Sequence, residues 1–440
     1  MPRLKPRRAT SRRVSAGELL AENALLVTIV TLALFGVVMI ASASLPFAER
    51  SPWYTSPFHF VFPQIFFLGI GLAIGYYVYQ IPVAVWERVG PYIMMASLVA
   101  LVFVLVPGIG KSVNGARRWI DVGVFTIQVS EVAKLCFIVY LAGYLVRREA
   151  LVQNTWGGFL RPLLLICLAS ALLLGEPDFG AAFVIVATSL MMLFVARVRL
   201  DQLAVLSIAF GVVAAISIVV SPYRLQRVTG FLEPFADVYN TGFQLAQSLI
   251  AIGSGGLAGV GFGSSVQKNF YLPEAHTDFL FAVIAEELGL VGVVVVVLLY
   301  GFLLWRCFRI ARDAERAGFP FASYLALGVG CWIGLQAFVN MGVSLGILPT
   351  KGITLPLMSY GGSSVVIFAV ALALLLRVES EVRERMAPQT RVVDESTEPE
   401  NMAERRRREA ARELVDSADE SGFDEALWQT IRQRLDGGAR

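Results

Sequence analysis

The sequence predicts an all-α, polytopic integral membrane protein: a helix bundle of about ten transmembrane spans, with a large extracytoplasmic loop between spans seven and eight. Three observations carry this. Of the 440 residues, 56% are hydrophobic and only 16% charged, whereas about 25% of a soluble domain is charged. Apolar runs recur along the chain near the roughly 20 residues that a helix needs to cross about 30 Å of hydrocarbon. The charge that remains gathers in the tails and in the connections between the runs.

A basic tail, residues 1–22, holds Arg3, Lys5, Arg7, Arg8, Arg12 and Arg13. The apolar run after it is too long for a signal-peptide core, and no small-residue cleavage site follows, so it reads as a signal anchor. Spans are expected at 24–43, 60–80, 91–107, 131–146, 162–174, 181–196, 203–220, 288–305, 322–343 and 363–376. Two of these are weaker. Glu131 and Lys134 interrupt the fourth, and the fifth is short, so both are expected to end in a polar cavity. The four cysteines, Cys136, Cys167, Cys307 and Cys331, sit in or beside apolar runs without metal or disulfide spacing and read as small packing residues.

Orientation follows from Lys and Arg, which favour the cytoplasmic side. With ten spans both tails share a side. The four short loops on that side hold ten cations, Arg88, Arg147, Arg148, Arg161, Arg197, Arg199, Arg306, Arg309, Arg312 and Arg316. The much longer loops opposite hold eight, Arg50, Lys111, Arg117, Arg118, Arg224, Arg227, Lys268 and Lys351. Both termini are therefore expected in the cytoplasm, and cations that persist on the other side suggest a use. The C-terminal segment 377–440 carries twelve Arg and sixteen acids with no long apolar run. It reads as a disordered cytoplasmic tail with a short amphipathic stretch around Phe423, Leu427, Trp428 and Ile431. In the long outer loop, 221–277, the apolar stretch from Phe243 to Ile252 suggests a partly folded segment lying on the membrane.

Five polar clusters fall on the outer side. In the first, Glu274, His276 and Asp278 lie within five residues at the entry to span eight, and Glu286 and Glu287 follow. From Phe279 to Trp305 is about 40 Å of helix at 1.5 Å per residue, longer than the hydrocarbon, so Asp278 lies beyond the lipid. It is a site residue or, alternatively, a helix N-cap. The second cluster is Lys111, Arg117, Arg118 and Trp119. Arg grips phosphate oxygens as a bidentate fork, which suits a pyrophosphate; anchoring to lipid phosphates is the alternative. Glu131 and Lys134, spaced to share a helix face, form either a structural ion pair or part of a ligand site. Glu176-Pro177-Asp178 is a turn that either caps the next helix or joins the site. Last, Pro349-Thr350-Lys351-Gly352 runs to Ser359-Tyr360-Gly361-Gly362-Ser363-Ser364, where packing explains the glycines but not Lys351. No Walker or Rossmann pattern is present, and no nucleic-acid partner or organic cofactor is expected. A substrate met outside the cytoplasm must arrive already activated.

These stretches resemble the SEDS family of cell-wall polymerases. Gly242-Phe243-Gln244, Leu272 to Phe279, Ala285-Glu286-Glu287-Leu288-Gly289, Pro349 to Gly352, Leu355 to Ser364, Arg117 to Ile120, Ser130-Glu131 with Lys134, and Pro177-Asp178 with Gly180 carry the likeness over about residues 24–380. Thr350-Lys351-Gly352 and Ala275 are closer to the division member than to the elongation member. The resemblance implies a peptidoglycan glycosyltransferase that polymerises lipid II at the septum. It implies partnership with a class B penicillin-binding transpeptidase and other division membrane proteins, and a divalent cation, Mg²⁺ or Mn²⁺. The family's catalytic aspartate falls on Asp278. Arg117, Arg118, Glu131, Lys134, Asp178, Lys111, His276, Glu274, Lys351 and Ser363 are expected to bind substrate. Glu176, where Gln is common in the family, is expected to add negative charge beside Asp178. A lipid II flippase and a division scaffold are the alternatives. A flippase needs polar groups facing both sides, and the clusters here face one.

Overall fold

The computed structural model describes residues 23–50, 56–113, 116–123, 126–238, 240, 242–350 and 352–397. Thirteen helices and three strands are found among them. They are α1 (Ala24–Arg50), α2 (Val61–Gln80), α3 (Val83–Leu105), β1 (Gly110–Val113), β2 (Ala116–Asp121), β3 (Thr126–Gln128), α4 (Val129–Arg147), α5 (Glu149–Asn154) and α6 (Trp156–Gly175). They continue as α7 (Phe179–Val195), α8 (Leu200–Val219), α9 (Pro222–Leu232), α10 (Phe243–Gly255), α11 (Leu280–Arg316), α12 (Pro320–Ser344) and α13 (Gly362–Thr397). The chain divides into a unit of residues 1–382 and a second of 383–440, whose described part, 383–397, is helical. The basic N-terminal tail, Lys351 and the stretch around Trp428 lie outside the described residues.

Among the described residues, eight helices are long and apolar enough to cross a membrane: α1, α2, α3, α4, α6, α8, α11 and α12. The helices in the places of the sixth and tenth expected spans are α7, apolar but 17 residues long, and the apolar first half of α13. The fourth and fifth spans, expected to be weak, are helices of 19 and 20 residues. Glu131 and Lys134 do not shorten the fourth, because they neutralise each other inside the bundle, Nζ to Oε1 at 2.7 Å.

The bundle is organised around α4 and α12. Other parts of the chain bury 78% of the apolar window of α4 and 72% of that of α12, against 17% in α8. At one end of the bundle the connection 110–128 folds as a three-stranded antiparallel sheet, β1-β2-β3, which the hydropathy pattern did not foretell. Short polar strands give no hydropathy signal in a chain dominated by apolar helices.

The long segment 221–279 is more built than expected. It contains α9 and α10, and α10 buries Leu245, Ala246, Ser248 and Ala251 against the bundle rather than lying free on a membrane surface. After α10 the chain crosses a break in α11. Gly289 sits at φ 65°, ψ −160° inside that helix. A side chain there is excluded twice: this backbone conformation belongs to glycine, and a Cβ would lie 2.3 Å from the Gly259 nitrogen. The helical hydrogen bonds lost at the break are replaced by the crossing segment. Val260 and Gly261 donate to the carbonyls of Glu286 and Glu287 at 3.0 and 3.1 Å, and Leu290 and Val291 donate to those of Gly256 and Leu257 at 3.0 and 3.2 Å. Buried backbone at membrane depth is tolerated where protein satisfies it in this way.

Glu286 and Glu287, which follow the Asp278 cluster in sequence, fasten the same segment. Glu286 accepts from the Ser265 hydroxyl and from the Val266 nitrogen. Glu287, fully buried, accepts from Lys268 Nζ at 2.7 Å and from Ser42 Oγ of α1 at 2.7 Å. Removing one member of a buried pair leaves an uncompensated charge, which costs about 3–5 kcal/mol. Lys268→Met is therefore expected to lower the thermal midpoint of the detergent-solubilised protein sharply. Lys268→Met with Glu287→Gln is expected to recover most of the loss, and a double variant as unstable as the single one would refute the ion-pair account.

Candidate active site

A cavity of about 410 Å³ opens at the sheet end of the bundle, and all five polar clusters of the sequence contribute to its wall. Arg118, Glu131, Lys134, Asp178, Glu274, Asp278 and Ser363 line it, with Thr277, Gln128, Thr354, Tyr360 and Ser364, which were not among the residues expected to bind substrate.

The floor comes from α4, which α12 backs. Lys134, 3% exposed, donates to Glu131 Oε1 and, at 3.0 Å, to Gln336 Oε1 of α12. It also lies over the Trp332 ring, 5.3 Å from its centroid. The second oxygen of Glu131 is buried and has no hydrogen-bond partner.

One wall comes from β2 and the turn between α6 and α7. Arg118 Nε donates to the carbonyl of Glu176 at 3.3 Å and Nη2 donates to that of Pro177, while Nη1 stands 3.9 Å from Asp178 Oδ1. Asp178 is both a cap and a lining residue. Its Oδ1 accepts from the Ala181 nitrogen at 3.1 Å, closing the start of α7, and its Oδ2 accepts from Ser130 Oγ at 2.9 Å. Ser363 ties α13 to β3, donating to the Thr126 carbonyl at 2.9 Å and accepting from the Gln128 nitrogen at 3.1 Å.

Arg117 does not line the cavity, although it precedes Arg118. Successive residues of a strand face opposite ways, and Arg117 turns beneath Gly110, donating to the Leu105 carbonyl at 3.2 Å. Lys111 is exposed and paired with Asp121 at 3.2 Å. His276 also lies outside the lining. Its ring packs among Phe60, Phe47 and Tyr360, with centroids 4.4, 6.1 and 5.7 Å away. Burial there pushes its pKa below the usual imidazole value. Glu176 is likewise not the charge expected beside Asp178. It is fully buried with both carboxylate oxygens unpartnered. Burial, and then the charge of Asp178, push its pKa up to about 8, against the pull of Arg118, so it is neutral at pH 7.

Asp278 occupies the opposite wall, at the end of a tight turn that precedes α11. Glu274, at φ 55°, closes the turn: its carbonyl accepts from the nitrogens of Thr277 and Phe279 at 3.1 and 3.2 Å, and its carboxylate accepts from Thr277 Oγ1 at 2.6 Å. Gly352 faces the aspartate, and a Cβ there would stand 3.2 Å from Asp278 Oδ2. Burial and then the nearby Glu274 push the Asp278 carboxyl up to about 7, with Arg227 and Arg118 opposing. Arg227, on α9, was a cation without a role in the sequence; its Nη1 donates to the Thr350 carbonyl at 3.4 Å. A carboxyl poised near neutrality in a cavity floored and flanked by cations can accept a proton at one point while negative charge develops at another.

Fold and cavity define a multi-pass membrane protein with a polar chamber at one end of its helix bundle, where acids and cations face the same space. The chain belongs to the cell cycle protein family of FtsW, RodA and SpoVE, whose family model matches residues 23–384. It is 54% identical over 349 residues to the probable peptidoglycan glycosyltransferase FtsW of Thioalkalivibrio sulfidiphilus, covering 79% of this chain and 87% of the relative. To the protein of the same description from Coxiella burnetii it is 48% identical, over 81% of this chain and 95% of the relative. Two solved structures share the fold. One is a chain from work on the structural coordination of polymerization and crosslinking by a peptidoglycan synthase complex (TM-score 0.66, 33% identity, 81% of this chain and 97% of that one). The other is the rod shape determining protein RodA of Thermus thermophilus (TM-score 0.60, 30% identity, 82% and 96%).

Proposed function

We propose that this protein is a peptidoglycan glycosyltransferase that polymerises lipid II at the division septum, with its cavity on the extracytoplasmic side and both termini in the cytoplasm. The observation that carries the reading is Asp278, whose carboxyl is pushed up to about 7 in a cavity that also holds Arg118 and Lys134. Relatives described as FtsW support the division assignment.

In the reaction, the acceptor's sugar hydroxyl attacks the anomeric carbon of the donor. Asp278 takes the hydroxyl proton, the new glycosidic bond forms, and the bond to polyprenyl pyrophosphate breaks with its electron pair leaving on the pyrophosphate. A single displacement inverts the anomeric centre. Pyrophosphate leaves without protonation, so one base suffices. Arg118 and Lys134 stabilise the charge that develops on it. Asp178 and Ser130 hold the wall that presents Arg118.

Mg²⁺ or Mn²⁺ fits this site in a limited sense. Among the described residues no three acidic, histidine or cysteine side chains converge as a ready-made cage. Such ions are commonly held by one or two carboxylates together with substrate phosphates. Glu131, with its buried unpartnered Oε2, and Asp178 would supply the carboxylates, and the ion would neutralise charge on the pyrophosphate.

The test is reconstitution of the full chain with lipid II, with and without a class B transpeptidase partner and Mg²⁺ or Mn²⁺, reading product length on a gel. The coordination of polymerisation and crosslinking named for the structural relative is the basis for including that partner. Absence of polymer under every condition would refute the reading. Within this assay, Arg118→Gln is expected to lower kcat by about 10²-fold, the size of a lost electrostatic stabiliser, and excess inorganic pyrophosphate is expected to inhibit the variant less than the wild type. Equal inhibition of both would remove Arg118 from the pyrophosphate site.

A further inference from the structure

Asn340 lies one turn before the C-terminal end of α12 and is 2% exposed. Its Nδ2 donates to two main-chain carbonyls, that of Asp278 at 2.8 Å and that of Ile353 at 2.7 Å. These acceptors belong to different segments, 62 residues before Asn340 and 13 after it. Two converging carbonyls fix which end of the amide is nitrogen, because the flipped amide would set oxygen against oxygen. The other end, Oδ1, is buried with no partner. An unpaired buried acceptor is unfavourable. An aliphatic side chain would avoid it, but would lose both donor bonds.

Asn340 belongs to a buried stripe at helical spacing, Trp332, Gln336, Asn340 and Ser344, on one face of α12. Trp332 Nε1 donates to Gln336 Oε1 at 2.9 Å. That oxygen also accepts from Lys134 Nζ at 3.0 Å, while Gln336 Nε2 donates to the Thr354 carbonyl at 3.2 Å. Ser344 Oγ donates to the Asn340 carbonyl at 3.1 Å, and its own carbonyl accepts from Ser248 of α10 at 2.8 Å. One helix face thus touches the floor cation Lys134, the segment 353–354 and the turn bearing Asp278.

We infer that Asn340 is a positioning residue, which joins the Asp278 turn to the segment carrying Gly352 and so sets the carboxylate in register with Lys134. This rests on the reading of Asp278 as the base. Asn340 touches no reacting atom; it acts through the backbone of Asp278. Without it the aspartate turn and the 352–354 segment lose their shared anchor, and Asp278 Oδ2 is no longer held against Gly352, where a Cβ would stand 3.2 Å away.

The test compares full-length Asn340→Ala, Asn340→Ser and Ser248→Ala with the wild type on lipid II, and adds Asn340→Ala in an Asp278→Asn background. Ser248→Ala removes a buried hydrogen bond to the same stripe that reaches neither segment, so it reports the structural cost alone. Asn340→Ala is expected to lower kcat by about 10²-fold, the size of an effect from a 1 Å misplacement. Its KM is expected to stay within about twofold, and its thermal midpoint close to that of Ser248→Ala. Asn340→Ser, which keeps one donor, is expected to fall between, and it decides the question by the same comparison if Asn340→Ala does not fold. In the Asp278→Asn background the Asn340 change is expected to cost nothing further. A kcat within threefold of Ser248→Ala, or a loss that falls on KM instead, overturns the inference. An active Asp278→Asn protein overturns the base assignment itself, a distinct outcome from an inactive Asp278→Asn beside a fully active Asn340→Ala.

Discussion

Asp278→Asn is expected to slow polymerisation by about 10²–10⁴-fold while leaving lipid II binding within about twofold of the wild type. The substitution keeps the size of the side chain and its place opposite Gly352, but an amide cannot take up the acceptor's proton. A positioned general base contributes about 10²–10⁴-fold, or roughly 3–5 kcal/mol at 1.36 kcal/mol per tenfold. Asp278→Glu is expected to restore little, because one more methylene must fit the narrow gap to Gly352. The measurement is single-turnover formation of the first glycosidic bond, with binding followed separately by retention of labelled lipid II. An Asp278→Asn protein that polymerises within tenfold of the wild type refutes the assignment.

The second large effect is on pH dependence. A base works only when deprotonated, and the Asp278 carboxyl is pushed up to about 7. Turnover is therefore expected to rise about tenfold per pH unit below that value and to level off above it, whereas an ordinary aspartate, near 3.9, would give a flat profile from about pH 5. The causes of the shift give predictions of opposite sign. Glu274 raises the value and Arg227 lowers it, so Glu274→Gln is expected to move the rising limb to lower pH and Arg227→Gln to higher pH. A limb that moves the same way in both variants would refute this electrostatic account. Stability runs with the opposite sign from activity. The folded carboxyl holds its proton more tightly than the unfolded one, so its contribution to folding is lost as pH rises from about 4 to about 7.

Much of the protein was legible in the sequence because hydropathy is a local signal. Runs near 20 apolar residues have few alternatives to spanning a membrane, and the described helices follow the expected runs in order. The polar clusters were visible for the complementary reason: charges beside such runs are costly and stand out. Asp278, Arg118, Glu131, Lys134, Asp178, Glu274 and Ser363 were named from sequence, and all line one cavity. Proximity along the chain misled where geometry intervened. Arg117 and Arg118 are neighbours, yet the strand's two-residue period sends them to opposite faces. Glu286 and Glu287 follow Asp278 by about two helical turns, yet they turn away from the cavity to pair with the 265–268 segment. Trp332, Gln336, Asn340 and Ser344 gave no signal at all, since uncharged polar residues in a buried helix read as part of an apolar run.

The sequence alone therefore determined the class of fold, the order of the spans and most of the charged groups that line the chamber. The tertiary structure alone decided which of those groups face one another, which acids act as fasteners, and how a glycine break in α11 lets the chain cross over it. The reason is physical. Transfer into lipid depends on the composition of one segment at a time, whereas the pKa of Asp278 and the hydrogen bonds of Asn340 depend on segments far apart in the chain, which meet only when the bundle closes.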